Sequence, residues 1–212
     1  MYLVKSPRLL QALAPSLLWH VETQEKVLYL TFDDGPIPDV TPFVLGELRR
    51  FGARATFFCV GDNVQKHPDI FAQILAEGHT VGNHTFNHLN GWKTPLEPYL
   101  ENVAACAQLV DSQLFRPPYG RLRRAQRKAL EGQYRIVMWD VLSGDFDLNI
   151  AGEQCLENVL QNALPGSIIV MHDSLKAEPR LRFALPRVLE HFSEAGYVFE
   201  ELKRGKVEEL KN

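Results

Sequence analysis

The chain has 212 residues, 45% of them hydrophobic and 23% charged, with a formal net charge of −3. These values exclude extended disorder and describe one large domain with a real core, or two small ones; they leave no electrostatic footprint for nucleic acid. Cys59, Cys106 and Cys155 are odd in number and form no CxxC pair, which excludes a complete disulfide framework and reads as buried, reduced thiols.

The first stretch, "MYLVKSPRLLQALAPSLLWHV", carries Lys5 and Arg8 ahead of leucines and alanines, but Pro7, Gln11, Pro15 and Ser16 break the apolar run. It is too short and too interrupted to span a bilayer and lacks a clean cleavage site, so it is expected as an amphipathic helix packed on the domain or lying on a membrane surface. Residues 1–25 are read as this N-terminal segment, 26–202 as one domain, and 203–212 as a polar tail that frays.

Within the domain, "KVLYLTF" (26–32) reads as a buried strand. "TPFVLGELRRFG" reads as a helix with Thr41 as N-cap, Pro42 at its first position and Gly52 as its stop. "ATFFCVG" (55–61) is a second strand, "HPDIFAQILAEGH" a helix opened by Pro68 and closed by Gly78, and residues 80–82 a short strand. Apolar positions 96, 99, 100, 103, 107 and 110 share one helical face. "YRIVMW" (134–139) and "SIIVMH" (167–172) read as strands separated by a helix over 150–163. A helix over 185–195 ends at Gly196, and "YVFEEL" is the last strand. This alternation predicts an α/β fold with a mostly parallel sheet, open or closed into a barrel. Functional residues then gather where the strands' C-terminal ends meet the loops.

Chemically capable residues recur at that place in the alternation. Asp33 and Asp34 of "TFDDGP" end the first strand; "NHTFNH" (83–88) follows the run at 80–82; "RPPYG" (116–120) and "DVLSGDF" (140–146) lie in later loops; His172 and Asp173 end "SIIVMHD". His84 and His88 have the i, i+4 spacing that, on a helical turn, turns two imidazoles toward one metal. An Asp from another strand end would add a third ligand and leave positions open, the layout of a catalytic metal site. Two adjacent carboxylates then divide the work: one binds metal, and its neighbour, whose side chain diverges, acts as a base. The alternative for TFDDGP alone is an ordinary Asp-rich turn.

"TFDDGP", "HTFNH", "RPPYG", "DF" at 145–146 and "VMHDS" resemble, in order and spacing, the motif series of the NodB-like polysaccharide deacetylases, carbohydrate esterase family 4. The resemblance runs from about Val27 to about Tyr197. It implies a single-domain distorted (β/α) barrel with fewer than the usual eight strands, and hydrolysis of N-acetyl groups on N-acetylglucosamine-containing glycans such as peptidoglycan or chitooligosaccharides. By the same resemblance Asp34, His84 and His88 would hold one divalent metal, most often Zn2+, with Co2+ and Ni2+ as alternatives. Asp33 would be the general base, oriented by Arg116; His172 the general acid, oriented by Asp145; and the backbone N–H of Tyr119, after Pro118, an oxyanion donor.

Three positions depart from the family pattern. Leu142 stands where an Asp is common, Phe146 where Trp is usual, and Val170 where Leu is usual. The last two shape the pocket for the acetyl methyl, which leaves acyl preference open. Trp92 is a candidate for stacking on a sugar ring or a packed loop aromatic. Asp147 and Asp173 read as outer-layer or solvated groups, His67 and His79 as caps or surface groups, and "RLRRAQRK" (121–128) as a solvated helix face. The rival functions are hydrolysis of a non-sugar amide or imide on the same fold, and a catalytically silent glycan-binding protein. The expected partner is an N-acetylated oligo- or polysaccharide, with no nucleic acid and a monomer as the default; location stays between cytoplasmic and membrane-surface, with export open.

Overall fold

The computed structural model describes residues 2–203. Of the polar tail, residues 204–212 lie outside the described residues. Strands and helices alternate in chain order: α1 (Arg8–Leu13), β1 (Val27–Asp33), α2 (Val40–Arg50), β2 (Thr56–Cys59), α3 (Gly61–Lys66), α4 (Pro68–Ala76), β3 (Thr80–Asn83), α5 (Leu96–Ala107) and β4 (Leu114–Phe115). After a 3₁₀ turn (Pro118–Gly120) come α6 (Arg124–Leu130), β5 (Arg135–Ile136), β6 (Val141–Leu142), α7 (Gly152–Leu160), β7 (Ile168–His172), α8 (Glu178–Glu194) and β8 (Val198–Phe199). All strand pairs are parallel, in the order β5-β4-β3-β2-β1-β7-β6, with β8 added to the start of β1. The sheet curls into the distorted barrel that the resemblance implies.

Strand alternation divides β1 between two cores. Leu28, Leu30 and Phe32 face outward, against Val44, Leu45 and Leu48 of α2 and Leu185, Val188 and Leu189 of α8. Thr31 and Asp33 face inward, above a barrel interior filled by Phe58, Leu114, Val137 and Ile168. The register places Thr31 beside Val170 and Asp33 beside His172 of β7, and Leu142 of β6 beside Val170. Two adjacent inward rows therefore hold Asp33 with His172, and Thr31 with Val170 and Leu142. All three cysteines are free and buried, as expected.

The ends of the sheet, β5 and β6, are joined by a short connection, and the N-terminal segment runs along both of them. Leu18 N–H donates to Ile136 O at 2.9 Å and Leu18 O accepts from Met138 N–H at 2.7 Å; Leu142 N–H donates to Val4 O at 2.8 Å and Ser6 N–H to Asp140 O at 2.9 Å. Leu18 and Val21 join the barrel interior. The segment is thus part of the barrel wall, although its helix α1 buries no side chain. Asp140 is its anchor, accepting from Lys5 Nζ and Ser167 Oγ, both at 2.6 Å. Burial pushes the Asp140 carboxyl up, and bonds from His20, Lys5 and Ser167 outweigh that and bring it down to about 2.

Several expected boundaries shift, each for a local reason. Asp39, not Thr41, is the N-cap position of α2; the Thr41 hydroxyl is buried and donates to Asp173 Oδ2 at 2.6 Å. The helix expected over 185–195 begins at Glu178 and carries Pro186 in its interior. "YRIVMW" contributes only β5, because the chain turns at 137–138 to pair with Leu18. β4 and β6, two residues each, were not expected at all. His79 is buried against Phe57 and accepts from Ala55 N–H at 3.3 Å, rather than lying on the surface. No helix among the described residues is long and apolar enough to cross a membrane.

Asp140→Asn is expected to cost about 2 kcal/mol, the range for losing a hydrogen bond to a charged group. Urea unfolding would read that loss. Amide exchange should rise at Leu18 and Leu142 before it rises in β1. The depressed carboxyl contributes stability at pH values above the ordinary Asp range and loses it as pH falls through about 2, so the gap between wild type and variant should close in strong acid.

Candidate active site

At the C-terminal rim of the barrel, Asp34 follows β1, and His84 and His88 follow β3. One ligand-type atom from each lies within 4.8 Å of the others. His88 Nε2 is 3.2 Å and His84 Nε2 3.8 Å from Asp34 Oδ1. His84 Nδ1 sits 2.7 Å from Arg116 O, and a carbonyl can only accept, so Nδ1 carries the hydrogen and Nε2 offers its lone pair inward. Burial pushes the His84 imidazole down to about 4 against the pull of Asp33, which keeps it neutral at ordinary pH. Burial raises the Asp34 carboxyl, but the His88, His172 and His84 rings around it hold it well below the usual carboxylate range.

Asp34 Oδ1 is also one of two buried side-chain polar atoms without a hydrogen-bond partner among the described residues, the other being Tyr99 OH. A buried acceptor without a donor is costly. An orphaned carboxylate oxygen facing two imidazole lone pairs fits a divalent cation, and the all-N/O donor set suits zinc, cobalt or nickel.

The HTFNH segment does not deliver its imidazoles from a helical turn. Thr85 and His88 both have left-handed backbone, at φ 64° and 55°. Side chains clamp this loop: Asn83 Oδ1 accepts from Thr85 N–H at 2.9 Å, and Asn102 Oδ1 from Phe86 N–H at 2.8 Å and Asn87 N–H at 3.0 Å. Asp34 is left-handed too, at φ 85°, and Asn63 Nδ2 donates to its carbonyl at 2.7 Å.

Asp173 is fully buried, the outer-layer group of the two expected alternatives rather than the solvated one, and accepts from Gly35 N–H at 3.0 Å as well as from Thr41. A Cβ on Gly35 would come within 1.9 Å of Asp173 Oδ2, so the glycine of TFDDGP is a matter of space. Burial raises the Asp173 carboxyl to about 8, partly countered by those two bonds.

Asp33 and His172 stand side by side across β1 and β7. Arg116, with no exposed surface, donates from Nη1 to Asp33 Oδ1 at 2.6 Å and to Thr31 Oγ1 at 2.7 Å, and from Nη2 to Met138 O at 2.9 Å. His172 Nδ1 lies 2.7 Å from Asp145 Oδ1, and His172 N–H donates to Asp145 Oδ2 at 2.6 Å. Burial lowers the His172 imidazole, but Asp145, with Asp34 and Asp33, more than reverses this and raises it to about 10.

These groups share a cavity of about 580 Å³ with Tyr119, Leu142, Phe146 and Val170. The Phe146 ring stands edge-on to His172 at 5.2 Å, and Tyr2 lies 5.0 Å from Phe146. Tyr119 has φ 61°, and its ring lies 4.7 Å from His88, following buried Pro118. Trp92 lies apart from the catalytic groups, 57% exposed and stacked under the Arg121 guanidinium at 4.9 Å. Of the expected residues, Asp33, Asp34, His84, His88, Tyr119, Phe146, Val170 and His172 therefore line one cleft, with Arg116, Asp145 and Pro118 buried behind it. Sequence reasoning missed Tyr2, Thr31, Asn63, Asn83 and Asn102, whose single polar groups carry no motif signal apart from the quoted Asn83.

The fold and this rim together define a NodB-type (β/α) barrel. A family model described as polysaccharide deacetylase matches residues 20–134. A peptidoglycan-N-acetylglucosamine deacetylase of Bacillus cereus is 36% identical over 188 residues, 85% of this chain and 88% of that protein. The Bc1960 peptidoglycan N-acetylglucosamine deacetylase, solved in complex with 4-naphthalen-1-yl-N-oxidanyl-benzamide, superposes with a TM-score of 0.83 at 29% identity, covering 90% of this chain and 95% of the other. BA3943, a pseudoenzyme of carbohydrate esterase family 4 from Bacillus anthracis, superposes with a TM-score of 0.76 over 91% of this chain and 69% of the other; at 24% identity that is a likeness of fold alone. The chain belongs to the polysaccharide deacetylase family, carbohydrate esterase family 4, and its sequence relatives are named as deacetylating hydrolases.

In metal-free protein, Asp145→Asn is expected to move the His172 titration to lower pH, read from its ring proton shifts by NMR. The raised imidazole contributes stability that is complete below the ordinary His range and is lost as pH rises through about 10. The stability difference between wild type and Asp145→Asn should therefore narrow as pH rises through that value.

Proposed function

We propose that the protein hydrolyses the N-acetyl group of N-acetylglucosamine units in a glycan of the peptidoglycan or chitooligosaccharide class, releasing acetate and leaving a free amine. The observation that carries this is the meeting, in one cavity, of a complete Asp-His-His set with the Asp33 carboxylate and the His172 imidazole, each held by a buried partner. The named activity of the Bacillus cereus relative supports the substrate class.

Asp34, His84 and His88 would hold one divalent cation, zinc by the family resemblance, with cobalt and nickel equally suited to the donor set. Bound there, it supplies Lewis acidity that polarises the acyl carbonyl and acidifies a water. Asp33 takes the proton from the attacking water. Arg116 fixes which Asp33 oxygen faces the cleft, since Oδ1 is held at 2.6 Å and Oδ2 is left for the proton. The Tyr119 backbone N–H, turned by its left-handed conformation, donates to the carbonyl oxygen as it gains charge. His172 gives its Nε2 proton to the departing nitrogen, and Asp145 keeps that proton in place at neutral pH by raising the imidazole. Phe146 and Val170 flank the acetyl methyl.

The test is acetate release from chitooligosaccharides by zinc-loaded protein. Asp33→Asn and His172→Ala are each expected to lower kcat/KM by about 10²–10⁴, the usual share of a general base or acid. Both variants should retain zinc. His84→Ala should lose zinc on dialysis as well as activity, and chelation of the wild type should abolish activity that added Zn2+, Co2+ or Ni2+ restores. Zinc-loaded wild type that releases no acetate from chitooligosaccharide or peptidoglycan would overturn the proposal.

A further inference from the structure

We infer that the cleft takes N-acyl groups longer than acetyl on its amino sugar, with the acyl chain lying in an apolar groove walled by the N-terminal segment; the inference rests on the N-deacylase reading above. In that reading the scissile carbonyl faces Asp34, His84 and His88, and the chain on its carbon leaves between Phe146 and Val170. Next to Val170 on the same inward row stands Leu142. Leu142 and Trp139 line the catalytic cavity and also a second groove of about 470 Å³. That groove runs over Leu10, Leu17, Trp19 and Met138. The wall thus continues apolar from the reacting centre into the groove.

The groove is presented rather than filled. Leu10 is 44% exposed on its wall, on a helix that buries no side chain. The Arg127 guanidinium beside it is already bonded by Glu131 and Ser16. The occupant is fixed by a covalent tie: whatever follows the acyl carbon is delivered to Leu142, and an acetyl methyl ends before it. The chemistry is unchanged by chain length. The water oxygen bonds to the acyl carbon, the C–N bond breaks with its electron pair on nitrogen, and nitrogen takes the proton. The products are a short fatty carboxylate and an amine.

The experiment compares one chitooligosaccharide carrying N-acetyl, N-propionyl, N-butyryl or N-hexanoyl groups, with zinc-loaded protein and the released carboxylate as readout. The expected kcat/KM rises by up to about fourfold per added methylene, the factor that ~0.8 kcal/mol per buried CH₂ converts to. Leu10→Glu is expected to lower the hexanoyl-to-acetyl ratio by about tenfold or more. All three tryptophans, Trp19, Trp92 and Trp139, line the groove. In Asp33→Asn, which slows turnover by about 10²–10⁴, their fluorescence should therefore report tighter binding of the hexanoyl than of the acetyl substrate. Acetate release with a fall of about tenfold or more at propionyl or butyryl overturns the inference and leaves the deacetylase standing. A Leu10→Glu ratio equal to wild type overturns the groove assignment. No carboxylate from any member of the series overturns the deacylase reading and this inference with it.

Discussion

A guanidinium with no exposed surface is the costliest group in this barrel, and the site is arranged around it. Taking Arg116 out of water costs several kcal/mol unless its donors are matched, and they are: Asp33, Thr31, Met138 O and the face of Phe58 at 4.1 Å. Burial pulls the guanidinium below its ordinary value and Asp33 resists, which ties the charge states of the two residues together. The backbone of the same residue holds His84 through its carbonyl. One residue on the loop after β4 thus fixes the carboxylate proposed as base and the imidazole proposed as ligand. These two functions cannot drift apart without breaking the best-buried bonds in the barrel.

The rim above is built from backbone that L-residues avoid. Asp34, Thr85, His88 and Tyr119 all lie in the left-handed region, at about 1–3 kcal/mol each. Such strain persists only where neighbours over-determine it. Here Asn63 holds Asp34, Asn83 and Asn102 hold the HTFNH loop, and Asp173 with Thr41 holds Gly35. The orphaned Asp34 Oδ1 adds to the same account, because a cation would satisfy this bare carboxylate oxygen.

Long apolar runs and charged motif residues were legible in the amino-acid order. β1, β2 and β7 appear where four or more apolar residues run together. Asp33, Asp34 and His172 could be named because they end or follow such a run, and His84 and His88 because of their spacing. What escaped has physical causes. β4 and β6 are two residues long and have no period to detect. Pro186 sits inside α8, held by packing on α2 and α7 against its own preference. The i, i+4 histidines reach one point through two left-handed residues, a geometry that mimics helical spacing without a helix. Asp173 could not be told apart as outer-layer or solvated, because burial by another segment leaves no local mark.

The least legible feature is the N-terminal segment, whose single bridges to Val137, Val141 and Ser167 make no strand of their own. Its consequence is large. A curled sheet whose end strands are two residues long exposes unpaired edges and an open interior, and this segment covers both while lending Leu18 and Val21 to the inside. The stretch that seals the wall also places Tyr2 on Phe146 and Leu10 beside the cleft. Closure and cleft shape are therefore set by the same hydrogen bonds around Asp140. A change in how the segment docks alters the room beside the reacting carbon while leaving Arg116, Asp33 and the histidines, anchored on β1, β3, β4 and β7, where they are.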